Sequence, residues 1–218
     1  MSTSLKLYGP LFSPYVRAVR LYAAELGLSL DAGMAPFGEK IEFRSAQHLA
    51  INPFGKVPVL IDDDFKLFET AAICRYLDAL AGERSLLQGL SLQEQALTDQ
   101  WSSAVSVYAR QHVMDGFLLE LAFPKGEDGQ PRMEIVMGNL SEARMFVTLI
   151  ESRLAQSTWL AGDDYSLADS MLTPFLDFLD QVPVLDHQHG KLIADGSACQ
   201  RYLQAVRQRA SAQVLQQR

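Results

Sequence analysis

The alternation of apolar and polar positions divides the chain in two. Leu5, Leu7 and the residues to Gly9 read as a strand. Ser13 and Pro14 then open a helix, serine being a favoured N-cap and proline a favoured first helical residue. Val16, Val19, Tyr22, Ala23 and Leu26 recur at helical spacing until Gly27. Leu28 to Met34 reads as a second short strand and Lys40 to Ile51 as a weaker helix. Val57 to Ile61 and Phe65 to Phe68 flank the turn Asp62-Asp63-Asp64 and form a hairpin. Glu69 to Ala81 is a helix ended by Gly82. The order β-α-β-α-β-β-α predicts a mixed sheet with helices on its faces.

Beyond Gly82 no strand pattern returns. Leu92 to Leu121, Met133 to Gln156, Tyr165 to Leu179 and Ser197 to Ala212 read as helices, with a Pro- and Gly-containing loop from Phe123 to Arg132. A boundary near Ser85 to Ser91 gives an α/β domain over 1–84 and an all-α domain over 92–218. Ser166 and Asp169 stand in the N-cap to N3 relation of a capping box, with Asp in place of the usual Glu or Gln. Ser170 occupies the place where a staple would carry an apolar residue.

Composition narrows the classes. With 218 residues, 48% hydrophobic and 21% charged, the chain is ordinary for a soluble globular protein. The net charge of −7 argues against a nucleic-acid partner. Arg201, Arg207, Arg209 and Arg218 are spread as on a solvated helix face. No apolar run reaches membrane length, and "MSTSLKLYGP" lacks the pattern of a signal peptide. Cys74 and Cys199 have no partner spacing, which fits a reducing, cytoplasmic setting. His187 and His189 in "DHQHG" have no third ligand near them, so no metal is expected.

One stretch resists a plain reading. "NPFGKVP", Asn52 to Pro58, puts two prolines directly before an apolar strand, although proline cannot donate to a sheet ladder. This stretch, with "SPYVRAVR" at the first helix, "LFETAAICRYL" at the third and "LAGDDYSLAD" before the sixth, resembles the cytosolic glutathione transferases over nearly the whole chain. The likeness is to serine-type members, phi-like, tau-like or bacterial. It implies a thioredoxin-like first domain, an all-helical bundle as the second, and a homodimer. The implied reaction joins the glutathione thiolate to small hydrophobic electrophiles, as in detoxification. Glutathione is then a co-substrate, and no other cofactor is expected. Alternatives on the same scaffold are a peroxidase, reductase or isomerase, or a non-enzymatic binding protein.

The resemblance also assigns residues. Pro58 is expected to be cis, leaving Val57 N–H and C=O free to bind the cysteinyl part of glutathione as an added strand does. Glu69 and Thr70, at a helix start, suit the γ-glutamyl carboxylate and ammonium. Thr70 departs from the family's serine but keeps the hydroxyl. Lys56 and Arg44, with Lys40 as a substitute, suit the glycyl carboxylate. Ser13 is expected to donate a hydrogen bond to the thiolate, with Tyr8 the main rival and Tyr15 a weaker one. No cysteine stands at position 13, unlike the classes that form mixed disulfides. Phe12, Phe37, Tyr108 and His112 are the candidate contacts for the electrophile, and Cys74 reads as core.

Overall fold

The computed structural model describes residues 5–185 and 190–217; His187, His189 and Arg218 lie outside these. The chain forms two compact units, one of residues 1–90 with 209–218 and the other of Ser91–Gln208.

The first unit contains β1 (Lys6–Tyr8), α1 (Pro14–Glu25), β2 (Asp31–Gly33), α2 (Ala46–Ile51), β3 (Val59–Asp62), β4 (Phe65–Phe68) and α3 (Thr70–Ala81). The sheet order is β2-β1-β3-β4, with β1 parallel to β2 and antiparallel to β3, and β3 antiparallel to β4. Tyr8, Val59 and Ile61 share a sheet face and pack with Ile41 and Ile51 in one buried cluster. Leu7 and Leu60, fully buried, point to the opposite face. α1 and α3 pack together, joined by Tyr22 Oη donating to Asp78 at 2.6 Å.

Two expectations for this unit change. The helix expected from Lys40 begins only at Ala46, because Arg44 has φ 59°, outside helical space. Ser45 then caps the helix, accepting from His48 N–H at 3.2 Å. The domain expected over 92–218 ends early, because the helix expected over Ser197 to Ala212 stops at Arg207 and residues 209–217 fold onto α1. There Arg209 makes a two-pronged pair with Glu25 at 2.8 and 2.6 Å, Ser211 donates to the same carboxylate, and Arg17 donates to the Leu215 carbonyl. Burial pushes the Glu25 carboxyl up, but Arg209 and Ser211 together pull it below its ordinary value.

The second unit contains α4 (Leu92–Ala104), α5 (Leu119–Ala122), α6 (Met133–Leu154), α7 (Leu167–Asp180) and α8 (Ala198–Arg207), with α9 (Gln213–Gln216) belonging to the first. The single helix expected over 92–121 is interrupted. After Ala104 it widens into π-helical turns and breaks at Asp115 (ψ 123°) and Gly116 (φ 76°). A Cβ at Gly116 would lie 2.6 Å from Asn139 Nδ2, so glycine serves both the turn and the approach of α6. Arg132 closes the loop from Phe123 with two guanidinium bonds to Glu120, and holds that carboxyl down to about 2.

α7 is buried along nearly its whole length. Its start follows the expected pairing, with an addition. Ser166 N–H and Oγ donate to Asp169 Oδ2 at 2.9 and 2.8 Å, and Leu160 N–H donates to Oδ1 at 2.7 Å. The staple is polar here: Tyr165 Oη and Ser170 Oγ meet at 3.0 Å. Asp169→Ala leaves two buried N–H groups unmade, each costing ~1–3 kcal/mol. Chemical denaturation should show a loss of about 2–4 kcal/mol; an unchanged midpoint would mean that the carboxylate holds neither group.

Candidate functional site

Strand register brings the candidate residues to one end of the sheet. Gly33 pairs with Tyr8, Tyr8 with Val59, and Val59 with Phe68, forming one row across all four strands. The chain leaves or enters this row at Gly9 on the way to Ser13, at Pro58 after Val57, and at Glu69 before Thr70. Three segments far apart in sequence therefore emerge together.

The first segment turns at Pro10–Ser13, where Ser13 N–H donates to Pro10 C=O at 3.0 Å. Ser13 is the N-cap of α1 with Pro14 at N1, yet its side chain makes no capping hydrogen bond. At 8% exposure the hydroxyl sits beside the helix start without being spent on it. The Val16 N–H of that first turn has no acceptor within the helix.

The second segment carries the cis Val57–Pro58 bond, as expected. β3 begins only at Val59, and among the described residues Val57 N–H and C=O have no backbone partner. Gly9 holds this segment close. A Cβ there would lie 2.5 Å from Val16 and 3.1 Å from the Val57 side chain. Arg44 also comes here: its Cγ would be 3.2 Å from a Cβ at Gly55. Arg44 and Lys56 are exposed and, among the described residues, unpaired with a carboxylate. Lys40 instead pairs with Glu42 at 2.8 Å.

The third segment has Glu69 at φ 73° and ψ 114°, a sparsely populated conformation for a residue with a side chain. Such conformations cost ~1–3 kcal/mol and cluster at ligand sites. Glu69 is exposed, and Thr70, the first residue of α3, is 6% exposed.

Tyr8 is elsewhere in purpose. It is fully buried, donates to the Ile41 carbonyl at 3.1 Å, and has its pKa raised by burial and by Glu42. Tyr15, two residues beyond Ser13, is half-buried. Cys74 is fully buried, and burial pushes its thiol up. Phe12 and Phe37 are exposed on the first unit. In the second unit, Tyr108 and His112 line a cavity of about 270 Å³ with Trp101, Val105, Met145 and Leu149. Their rings stack with centroids 6.0 Å apart, and His112 Nδ1 lies 2.7 Å from Glu142. Among the described residues no group of three acidic, His or Cys side chains is placed to hold a metal.

Residues 3–79 match the family model for the glutathione S-transferase N-terminal domain, and residues 128–205 match that for the C-terminal domain. Glutathione S-transferase 4 of Zea mays is 35% identical over 173 residues, covering 79% of this chain and 75% of its own. The chain belongs to the glutathione S-transferase family. Glutathione transferase F2 from Populus trichocarpa has the same fold, with TM-score 0.79 at 27% identity and 97% of each chain covered. Glutathione S-transferase-I, solved with lactoylglutathione bound, gives TM-score 0.77 at 27% identity over 99% of this chain and 100% of that one.

The transferase is thus a phi-like member with a thioredoxin-like unit and a helical unit. Two residues of its site region escaped sequence reasoning. His48 and Asn52 both bond the Lys56 carbonyl, at 3.0 and 2.9 Å. Their one signal was two polar residues four apart, one in a short helix and the other capping its end. The placement of the hydroxyls generates a test. Tyr8→Phe should cost about 1 kcal/mol of stability, as one buried hydrogen bond does, and leave turnover with glutathione intact. A crippled Tyr8→Phe enzyme, alongside an unimpaired Ser13→Ala, would make Tyr8 and not Ser13 the working hydroxyl.

Proposed function

We propose that this transferase binds glutathione along the sheet end and uses Ser13 to stabilise its thiolate for attack on small hydrophobic electrophiles. The observation that carries the reading is the Ser13 hydroxyl, at a helix start but uncommitted to it, on the same sheet end as the unpaired Val57 peptide. Val57 takes the cysteinyl backbone, Glu69 and Thr70 the γ-glutamyl group, and Arg44 or Lys56 the glycyl carboxylate. Pro58 sets the strand entry. Phe12 and Phe37, exposed on the first unit, are the proposed apolar contacts of the electrophile. A transferase solved with lactoylglutathione bound supports the ligand class.

The working unit in this reading is a cytoplasmic homodimer. Val107, Met145 and Leu149, exposed on the second unit, supply apolar surface for a second copy to cover. Both cysteines are buried and unbridged, in keeping with a reducing compartment. Sedimentation equilibrium should give twice the chain mass of 24.2 kDa; a monomer at micromolar concentration overturns the dimer.

Ser13→Ala tests the chemistry. Glutathione should still bind, since the carboxylate-holding groups are untouched. The pKa of the bound thiol should rise toward the ordinary thiol value of about 8.5. Turnover near neutral pH should fall about ten- to a thousand-fold, for a loss of roughly 1.4–4 kcal/mol. Part of the loss should return at alkaline pH, where the thiol ionises unaided. Equal rates for Ser13→Ala and parent across pH would remove Ser13 from the mechanism.

A further inference from the structure

The Lys56 carbonyl is the acceptor of two side-chain donors. His48 is fully buried. Its Nδ1 accepts from the Arg44 backbone N–H at 3.0 Å. That nitrogen therefore carries no proton, and Nε2–H is the donor to Lys56 C=O at 3.0 Å. The ring is wedged edge-on against Tyr8, centroids 5.0 Å apart, and against Phe43 at 5.9 Å. Asn52 is fixed as firmly. Its Oδ1 accepts from Phe54 N–H at 3.0 Å, so its Nδ2 must face Lys56 C=O, at 2.9 Å.

Lys56 C=O and Val57 N–H belong to one peptide unit, and that unit is trans, the Val57–Pro58 bond being the cis one. A trans peptide is planar with its C=O and N–H pointing in opposite directions. Two donors that hold the carbonyl inward therefore aim the N–H outward. They also polarise the amide, which strengthens the outward N–H as a donor.

We propose that His48 and Asn52 are positioning residues that aim and strengthen the Val57 N–H for the cysteinyl carbonyl of glutathione, acting through this one peptide plane. The inference rests on the reading that glutathione binds at Val57. It explains why a neutral, two-sided side chain is buried at position 48. The site needs one acceptor and one donor, a combination that glutamine also offers but an aliphatic side chain does not.

The test compares His48→Leu, His48→Gln and Asn52→Ala with Thr70→Ala, by steady-state kinetics in both substrates and by ligand-free melting. His48→Leu should raise the KM for glutathione about ten-fold, while kcat at saturating glutathione and the KM of the electrophile change less than about two-fold. His48→Gln should restore most of the affinity. Asn52→Ala, which keeps one of the two donors, should give a smaller rise in the same direction and serves if His48→Leu fails to fold. Unchanged glutathione KM in His48→Leu or Asn52→Ala, alongside a raised KM in Thr70→Ala, overturns the positioning role and leaves the glutathione site standing. Loss of kcat and melting temperature together, with no rescue by His48→Gln, overturns it in favour of simple core packing. If Thr70→Ala also leaves the KM unmoved, the site reading fails and the inference with it.

Discussion

The row Gly33–Tyr8–Val59–Phe68 is the constraint on which the candidate site depends. Each member ends or begins a strand, and the segments beyond them carry Ser13, Val57 and Thr70. A slip of one residue between β1 and β3 would invert every side chain along the strand. It would swing Tyr8 out of the cluster with Ile41, Ile51, Val59 and Ile61 and break its bond to the Ile41 carbonyl. The core therefore fixes the register, and the register fixes which loops meet. Tyr8, the rival hydroxyl by sequence, serves the site by holding its frame.

The polar groups near the sheet end fall into two kinds. His48, Asn52 and Tyr8 are buried and have named partners within the unit. The Ser13 and Thr70 hydroxyls and the Val57 N–H and C=O sit at the same end without such partners among the described residues. Buried groups left without hydrogen bonds cost ~1–3 kcal/mol each, so groups of the second kind are tolerated only where solvent or a ligand reaches them. The strained backbone at Arg44 and Glu69 flanks the same region. Satisfied groups hold the frame, and unsatisfied ones face the place a ligand would take.

Most of the architecture was legible because it follows from period and punctuation. Ser13-Pro14 marked a helix start, and the hairpin turn of three aspartates joined β3 to β4. What escaped depended on contacts between distant residues. No propensity foretold that Arg44 would take a positive φ, since the reason lies in its N–H reaching His48. The break at Gly116 looks in sequence like a tolerated helical glycine; only Asn139 against it shows why glycine is there. The chain beyond Gln208 was placed in the all-α domain because Glu25, 184 positions from Arg209, gives no local signal. His48 and Asn52 were given no role because what they bond is a backbone carbonyl, which has no letter in a sequence.

The electrostatics of the sheet end bear on how a thiolate is held there. His48 is locked in a neutral tautomer by the Arg44 N–H, so it orients the Val57 peptide without adding charge. The cations at Arg44 and Lys56 are exposed and screened by water, better suited to capturing an anionic tripeptide against a net charge of −7 than to shifting a thiol. Lowering a thiol pKa by two units takes roughly 2.7 kcal/mol of preference for the thiolate. A hydroxyl bond to a charged acceptor supplies ~1.5–3 of this, and the start of the α1 helix adds up to ~1. The two neutral sources suffice together, and the hydroxyl is the larger. A helix start alone would leave most of the bound thiol protonated near neutral pH, so in the proposed reaction the uncommitted Ser13 hydroxyl is the group on which thiolate formation would turn.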